Sequence, residues 1–212
     1  MSGTPYDALL AADPVLRRIA RTHGRPDPFE WSAGGRRTAT NFGALLLHIT
    51  SQQISTSVAV VLFDRLAAAA GPALTAEAVH DLGPDRLHAL GLSGAKSAAM
   101  VDVARLQISG AIDVENLEAL GDDEVIAALT AARGVGPWTA QMFLLHQLRR
   151  PDVLPAGDLG IRHAIQRAWE QPAVPSVEEA REFGVRWSPF RSYAAALLWA
   201  SLSPLVQPAI IQ

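Results

Sequence analysis

A chain of 212 residues is long enough to bury roughly 70% of the surface its unfolded form would expose, so it can support one large domain or two small lobes. Its 18 Lys and Arg stand against 21 Asp and Glu, and the net charge of −3 excludes a uniformly basic nucleic-acid-binding coat while leaving room for a local basic face. The absence of cysteine excludes disulfides, thiolate nucleophiles and cysteine-ligated zinc or iron–sulfur clusters.

Alanine and leucine dominate, β-branched residues rarely alternate, and apolar positions recur at three and four, which predicts an all-α fold with no strand. The opening "MSGTPYDALLAADPVLRRIA" lacks a basic segment followed by an apolar run, and no stretch reaches about 18 apolar residues, so a cytoplasmic protein without membrane association is expected. In chain order the spacing predicts helices over residues 7–22, 42–53, 56–70, 93–109, 122–133, 137–149, 159–170, 177–183 and 189–201. Between them lie the short breakers "HGRPDP", "AGP", "GLSG", "RRPDVLPAGD" and "QPAVP". Of these, "RRPDVLPAGD" is the best candidate for a junction between two helical lobes.

The stretch "AARGVGPWTAQ" interrupts helix and restarts it. Val125, Ile126, Leu129 and Ala132 before the break, and Ala140, Phe143, Leu144 and Leu148 after it, form two apolar faces that can close on each other. Gly134 suits a left-handed helix end, Gly136 allows close approach from outside, and Pro137 suits a first helical turn. The expected product is a helix–hairpin–helix whose second helix offers backbone N–H groups and a positive dipole end to a phosphate. Gly134, Val135, Gly136 and Thr139 are therefore the candidate DNA-backbone contacts, although an ordinary helix corner with a glycine cap explains G-V-G equally well. Trp138, Met142 and Leu145 form a second apolar stripe on the same helix, and a core role for the tryptophan stays open.

Downstream, Asp158 precedes the periodic apolar residues Ile161, Ile165 and Ala168, the position of an N-cap. A helix N-terminus favours an anion there, and a fixed anion can also stabilise a cationic transition state. Cap and catalyst are compatible roles. His48, His146 and His163 read as surface or packing residues, because no pair has a metal-site context. Lys96, the only lysine in the chain, reads as a helix-end charge, with a phosphate contact as the alternative.

Together "ARGVGPWTAQ" and "PAGDLGIRHA" resemble the helix–hairpin–helix DNA glycosylase superfamily (HhH-GPD), in its 3-methyladenine DNA glycosylase II, or alkylpurine, branch. The stretches "LLLHITSQQISTSVA" and "RWSPFRSYAAALLW" match the same branch, so the resemblance runs from Phe42 to Trp199. It implies a central helical lobe, residues 41–151, and a discontinuous second lobe, residues 1–40 and 152–212, with DNA crossing a cleft between them. It implies Asp158 as the catalytic carboxylate, and Trp138, Phe190, Trp187 and Met142 as the base pocket. Gln53 falls on the residue that plugs the gap left by a flipped base. The carbonyls of Thr130, Ala132 and Val135 fall on positions that hold a monovalent cation, Na⁺ or K⁺, when DNA is bound. No other cofactor is implied. Trp138 stands where bifunctional relatives carry a lysine nucleophile, so a monofunctional enzyme is implied, one that cannot form a Schiff base.

The implied activity is excision of alkylated purines such as 3-methyladenine and 7-methylguanine from double-stranded DNA, in base excision repair, by a DNA-associated cytoplasmic monomer. A purine alkylated at N3 or N7 is cationic and departs neutral, so no general acid is required. The site must supply a flipped nucleotide and an anion beside the oxocarbenium-like sugar, with aromatic faces for the cationic base. Two alternatives stand beside this one: a glycosylase for deaminated, mismatched or oxidised bases, and a non-catalytic helix–hairpin–helix module that only binds DNA.

Overall fold

The structure is a computed structural model that describes residues 3–30, 38–71 and 73–203. Among these residues every regular element is helical. In order they are α1 (Pro5–Ala12), α2 (Pro14–His23), α3 (Asn41–Ser51), α4 (Thr56–Ala70), α5 (Ala76–Ala89), α6 (Gly94–Ile108), a 3-10 turn at Val114–Ala119, α7 (Asp122–Thr130), α8 (Pro137–His146), α9 (Leu159–Ala168), α10 (Val177–Gly184), a 3-10 turn at Val185–Trp187, and α11 (Arg191–Ala200). None of the described helices is long and apolar enough to cross a membrane.

The chain divides into two compact units, and the downstream division falls between Arg149 and Arg150. One unit holds α3 to α8; the other holds α1, α2 and α9 to α11. The upstream boundary expected at residue 40 adjoins residues 31–37, which lie outside the described residues, and residues 38–40 group with α3.

In the α3–α8 unit, α3 is buried along its whole length, which is why "FGALLLHIT" reads as a continuous apolar run rather than as one stripe. Its start is fixed twice. The Thr40 hydroxyl accepts from Gly43 N–H, and the Glu115 carboxylate accepts from the N–H groups of Asn41 and Phe42. The buried polar residues of its last turn bond back along the helix, Thr50 Oγ1 to the Leu46 carbonyl and Ser51 Oγ to that of His48. Helix α5 is missing from the ranges the spacing predicts because Gly83 (φ 69°) and Pro84 break its period into two half-helices.

In the other unit, the single helix expected over 7–22 is two. Pro14 offers no N–H and cannot continue α1, and the Asp13 carboxylate restarts the chain by accepting from Val15 and Leu16 N–H at 2.9 and 3.1 Å. Aromatic contacts border its aliphatic core: Trp187 packs on Trp169 and Phe183 with ring centroids 5.6 Å away, and Tyr193 meets Tyr6 edge-on at 5.1 Å.

Candidate active site and nucleic-acid interface

The hairpin forms as the sequence predicts, in the α3–α8 unit. After α7 the chain turns through a 3.2 Å bond from Val135 N–H to the Ala132 carbonyl. Gly134 is required twice over: its φ is 81°, and a Cβ there would lie 2.7 Å from Cβ of Ala99 on α6. The Arg133 N–H donates to Asp102 Oδ2 at 2.8 Å, and that bond, with the Arg105 guanidinium, holds the Asp102 carboxyl below the usual carboxylate range. Gly136 begins α8 without a side-chain cap, and a Cβ at Gly136 would meet nothing within 4 Å. The first-turn N–H groups of α8 therefore have no side chain in front of them, the arrangement that suits an approaching phosphate.

Two of the expected contact residues point inward instead. The Thr139 side chain is buried, its hydroxyl accepting from Gln52 Nε2 at 2.9 Å, and the Val135 side chain is buried as well, so only their backbone can serve DNA. The carbonyls of Thr130, Ala132 and Val135 lie around the same turn; they are neutral oxygens with no acidic side chain in the set, a donor chemistry that fits a weakly hydrated monovalent cation better than a divalent one. Among the described residues no group of three His, Cys, Asp or Glu could hold a metal.

Trp138 occupies the first turn of α8 and is half-buried. Met142, one turn on, is buried in its unit, as is Leu145. Gln53 is exposed, at the end of α3, with a φ of 55° that is uncommon for a residue with a Cβ. Its neighbour Gln52, which the sequence reading did not single out, turns inward: Nε2 donates to the Gly134 carbonyl at 3.0 Å and to Thr139. Lys96 is buried and donates from Nζ to the Thr50 carbonyl at 2.8 Å, a helix-end charge at the end of α3 rather than a phosphate contact. Burial pushes its ammonium pKa down. His48 and His146 pack as expected, ring centroids 5.6 Å apart; burial drives His48 well below 6.5, with the charge of His146 adding to it, and lowers His146 to about 4.

In the other unit Asp158 caps α9. Its Oδ1 accepts from Ile161 N–H at 3.0 Å and from the indole N–H of Trp199 at 3.1 Å. The room for this is made by Gly160, where a Cβ would lie 2.9 Å from the same oxygen. Trp199 and Gly160 were not singled out by the sequence, although Trp199 ends the quoted "RWSPFRSYAAALLW" stretch. Phe190 is half-buried at the start of α11, its ring edge-on to Tyr193 at 6.1 Å. Close by, Asp152 takes a bidentate pair from Arg191 (2.8 and 3.0 Å) and the Ser188 hydroxyl (2.7 Å); burial would raise its pKa, and these donors lower it overall.

Trp187 is a correction. The resemblance made it a pocket wall, but it is 1% exposed and its indole N–H donates to Asp13 Oδ2 at 3.0 Å. One turn from Phe190 in sequence and at the end of the 3-10 turn Val185–Trp187, it packs on Trp169 and Phe183, whereas Phe190 packs on Tyr193.

A family model described as HhH-GPD superfamily base excision DNA repair protein matches residues 47–189. DNA-3-methyladenine glycosylase 1 of Schizosaccharomyces pombe is 33% identical over 158 residues, covering 73% of this chain and 69% of that protein. DNA-3-methyladenine glycosylase of Bacillus subtilis is 29% identical over 216 residues, covering 94% of this chain and 67% of its own length. A solved structure of 3-methyladenine DNA glycosylase from Schizosaccharomyces pombe in complex with abasic DNA superposes with a TM-score of 0.81 at 27% identity, covering 92% of this chain and 94% of that one.

Proposed function

The chain belongs to the HhH-GPD superfamily of base excision DNA repair proteins, and from that premise we propose that it is a monofunctional DNA glycosylase that releases 3-methyladenine- and 7-methylguanine-type bases from duplex DNA. Its curated relatives named above carry the alkyladenine activity in their names, and the relative solved with abasic DNA carries DNA. The observation that carries the reading is Asp158: a carboxylate at a helix start, its Oδ1 fixed by a backbone N–H and by the Trp199 indole.

A carboxylate oriented before the substrate arrives costs no reorganisation when charge develops in the sugar. In the proposed reaction the C1′–N bond breaks with its electron pair passing to the purine, which cancels the alkyl cation's charge and lets the base leave neutral. Asp158 faces the oxocarbenium-like sugar and orients the water whose oxygen bonds to C1′, and that water's proton passes to solvent. Trp138 and Phe190 supply π-faces to the cationic base. Gln53 fills the vacated stack, and the turn before α8 grips a phosphate through backbone N–H groups. A monovalent cation held by the Thr130, Ala132 and Val135 carbonyls would add positive charge beside that phosphate.

Two features support the monofunctional assignment. Position 138 is tryptophan, and the Lys96 ammonium is committed to the Thr50 carbonyl inside its unit. The test is release of free base from methylated duplex, followed by chromatography, with borohydride trapping in parallel. Free 3-methyladenine and 7-methylguanine without a trapped protein–DNA adduct are expected; a covalent adduct would end the monofunctional reading, and binding without base release would leave only a DNA-binding module.

A further inference from the structure

Gln52 faces inward while Gln53 faces out, although the two are adjacent at the end of one helix. The Gln52 amide spends its donor nitrogen on the hairpin alone, reaching the Gly134 carbonyl at 3.0 Å and the Thr139 hydroxyl at 2.9 Å. Gly134 is the turn residue of the hairpin and Thr139 lies in the first turn of α8, so one side chain ties the hairpin turn to the start of its second helix. Two residues before Gln52, the Thr50 carbonyl is held by Lys96 Nζ at 2.8 Å. The hairpin is itself pinned to α6 through the Arg133 N–H on Asp102. Directly after the pinned Thr50 and Gln52, Gln53 sits at a φ of 55°, a conformation residues with a Cβ rarely adopt.

We propose that Gln52 is a positioning residue that locks the Gln53 plug to the phosphate-gripping hairpin, so that seating the hairpin on the DNA backbone sets where the plug enters the stack. The proposal rests on the glycosylase reading above. Neither element can shift against the other without breaking two hydrogen bonds from one amide. Backbone grip and stack insertion are thereby made one rigid event within a single unit. A plug free to wander would still allow DNA to bind but would hold a flipped nucleotide out for less time.

The experiment uses the full chain with Gln52→Met, which keeps side-chain length and removes both donors, measured in single-turnover excision from two methylated duplexes. In one the lesion is fully paired; in the other it stands opposite an abasic gap, where it leaves the stack without help. Excision from the paired duplex should fall about tenfold, the size expected for two lost hydrogen bonds, while the gapped duplex is cut at within about twofold of the wild-type rate. Affinity for undamaged duplex should stay within about twofold. Thr139→Val, which removes one acceptor at constant volume, should show the same pattern at about threefold and carries the test if Gln52→Met does not fold. Equal losses on both duplexes, or no loss on the paired one, would overturn the coupling. Wild-type protein that releases no base from either duplex would instead overturn the glycosylase reading, a failure visible without any variant.

Discussion

Asp13 and Asp158 are built alike and exposed differently. Each ends an interruption in the helical pattern and caps the helix that follows, and each accepts an indole N–H, from Trp187 and Trp199 respectively. Asp13 is 7% exposed and divides its donors, two backbone N–H groups on Oδ1 and the indole on Oδ2. Asp158 is half-buried, and its backbone donor and its indole donor share one oxygen, Oδ1. The same local device thus holds the core together in one place and presents a carboxylate in the other. What separates a structural aspartate from the proposed catalytic one is its access to the outside, not its motif.

The largest expected effect tests that separation. Asp158→Asn keeps an equally good cap, so the fold should lose only the charge–dipole contribution of about 0.3–1 kcal/mol. Loss of a preorganised electrostatic partner typically costs about 10²–10³ in rate, so excision of 7-methylguanine should collapse while melting temperature and DNA binding stay near wild type. A variant that folds, binds and excises normally would make Asp158 a second Asp13.

The reverse outcome is expected at the buried site. Asp13→Ala removes a cap and leaves the Trp187 indole buried without an acceptor, a cost of about 2–4 kcal/mol in urea unfolding. Trp187→Phe attacks the same bond from the other end, and the two together should cost less than their sum. Excision per folded molecule should be unchanged in both; a specific loss of turnover would mean that the core aspartate also serves the reaction.

Acid limits the window in which these comparisons can be run. His48 and His146 have folded pKa values below the unfolded value of about 6.5, His146 at about 4, so the unfolded chain binds more protons between those limits. Their contribution to stability is complete above pH 6.5 and is lost as pH falls toward the folded pKa, at up to about 1.4 kcal/mol per pH unit for each. The urea midpoint should drop between pH 7.5 and 5.5, and His146→Gln should flatten that drop. An unchanged slope in the variant would place the acid sensitivity elsewhere.

The smallest effect concerns the second indole. Trp199→Phe removes one hydrogen bond from a partly exposed oxygen, worth about 1 kcal/mol, and should slow excision about three- to tenfold with little change in melting temperature. If it instead lowered stability as much as Trp187→Phe, the two aspartates would be equivalent after all.

The all-helical architecture, the hairpin and the Asp158 cap were legible in the sequence because each is written locally. Apolar residues three and four apart mark a helix, G-V-G-P marks its interruption, and an aspartate before a periodic run marks the restart. Local signals also explain where the reading stopped: Asp13-Pro14 splits a pattern whose apolar period runs straight through, and Gly83-Pro84 hides α5 by halving its period. Only the tertiary structure decided which way the tryptophans and glutamines face. Trp187 and Phe190 lie three residues apart, yet the first is buried beneath Trp169 and Phe183 while the second stays half-buried. Gln52 and Gln53 are chemically identical neighbours; the inward one is recognised only by the Gly134 carbonyl and Thr139 hydroxyl, more than 80 residues on in the chain. Side-chain direction at the end of a helix is set by partners distant in sequence, and no spacing rule along the chain encodes them.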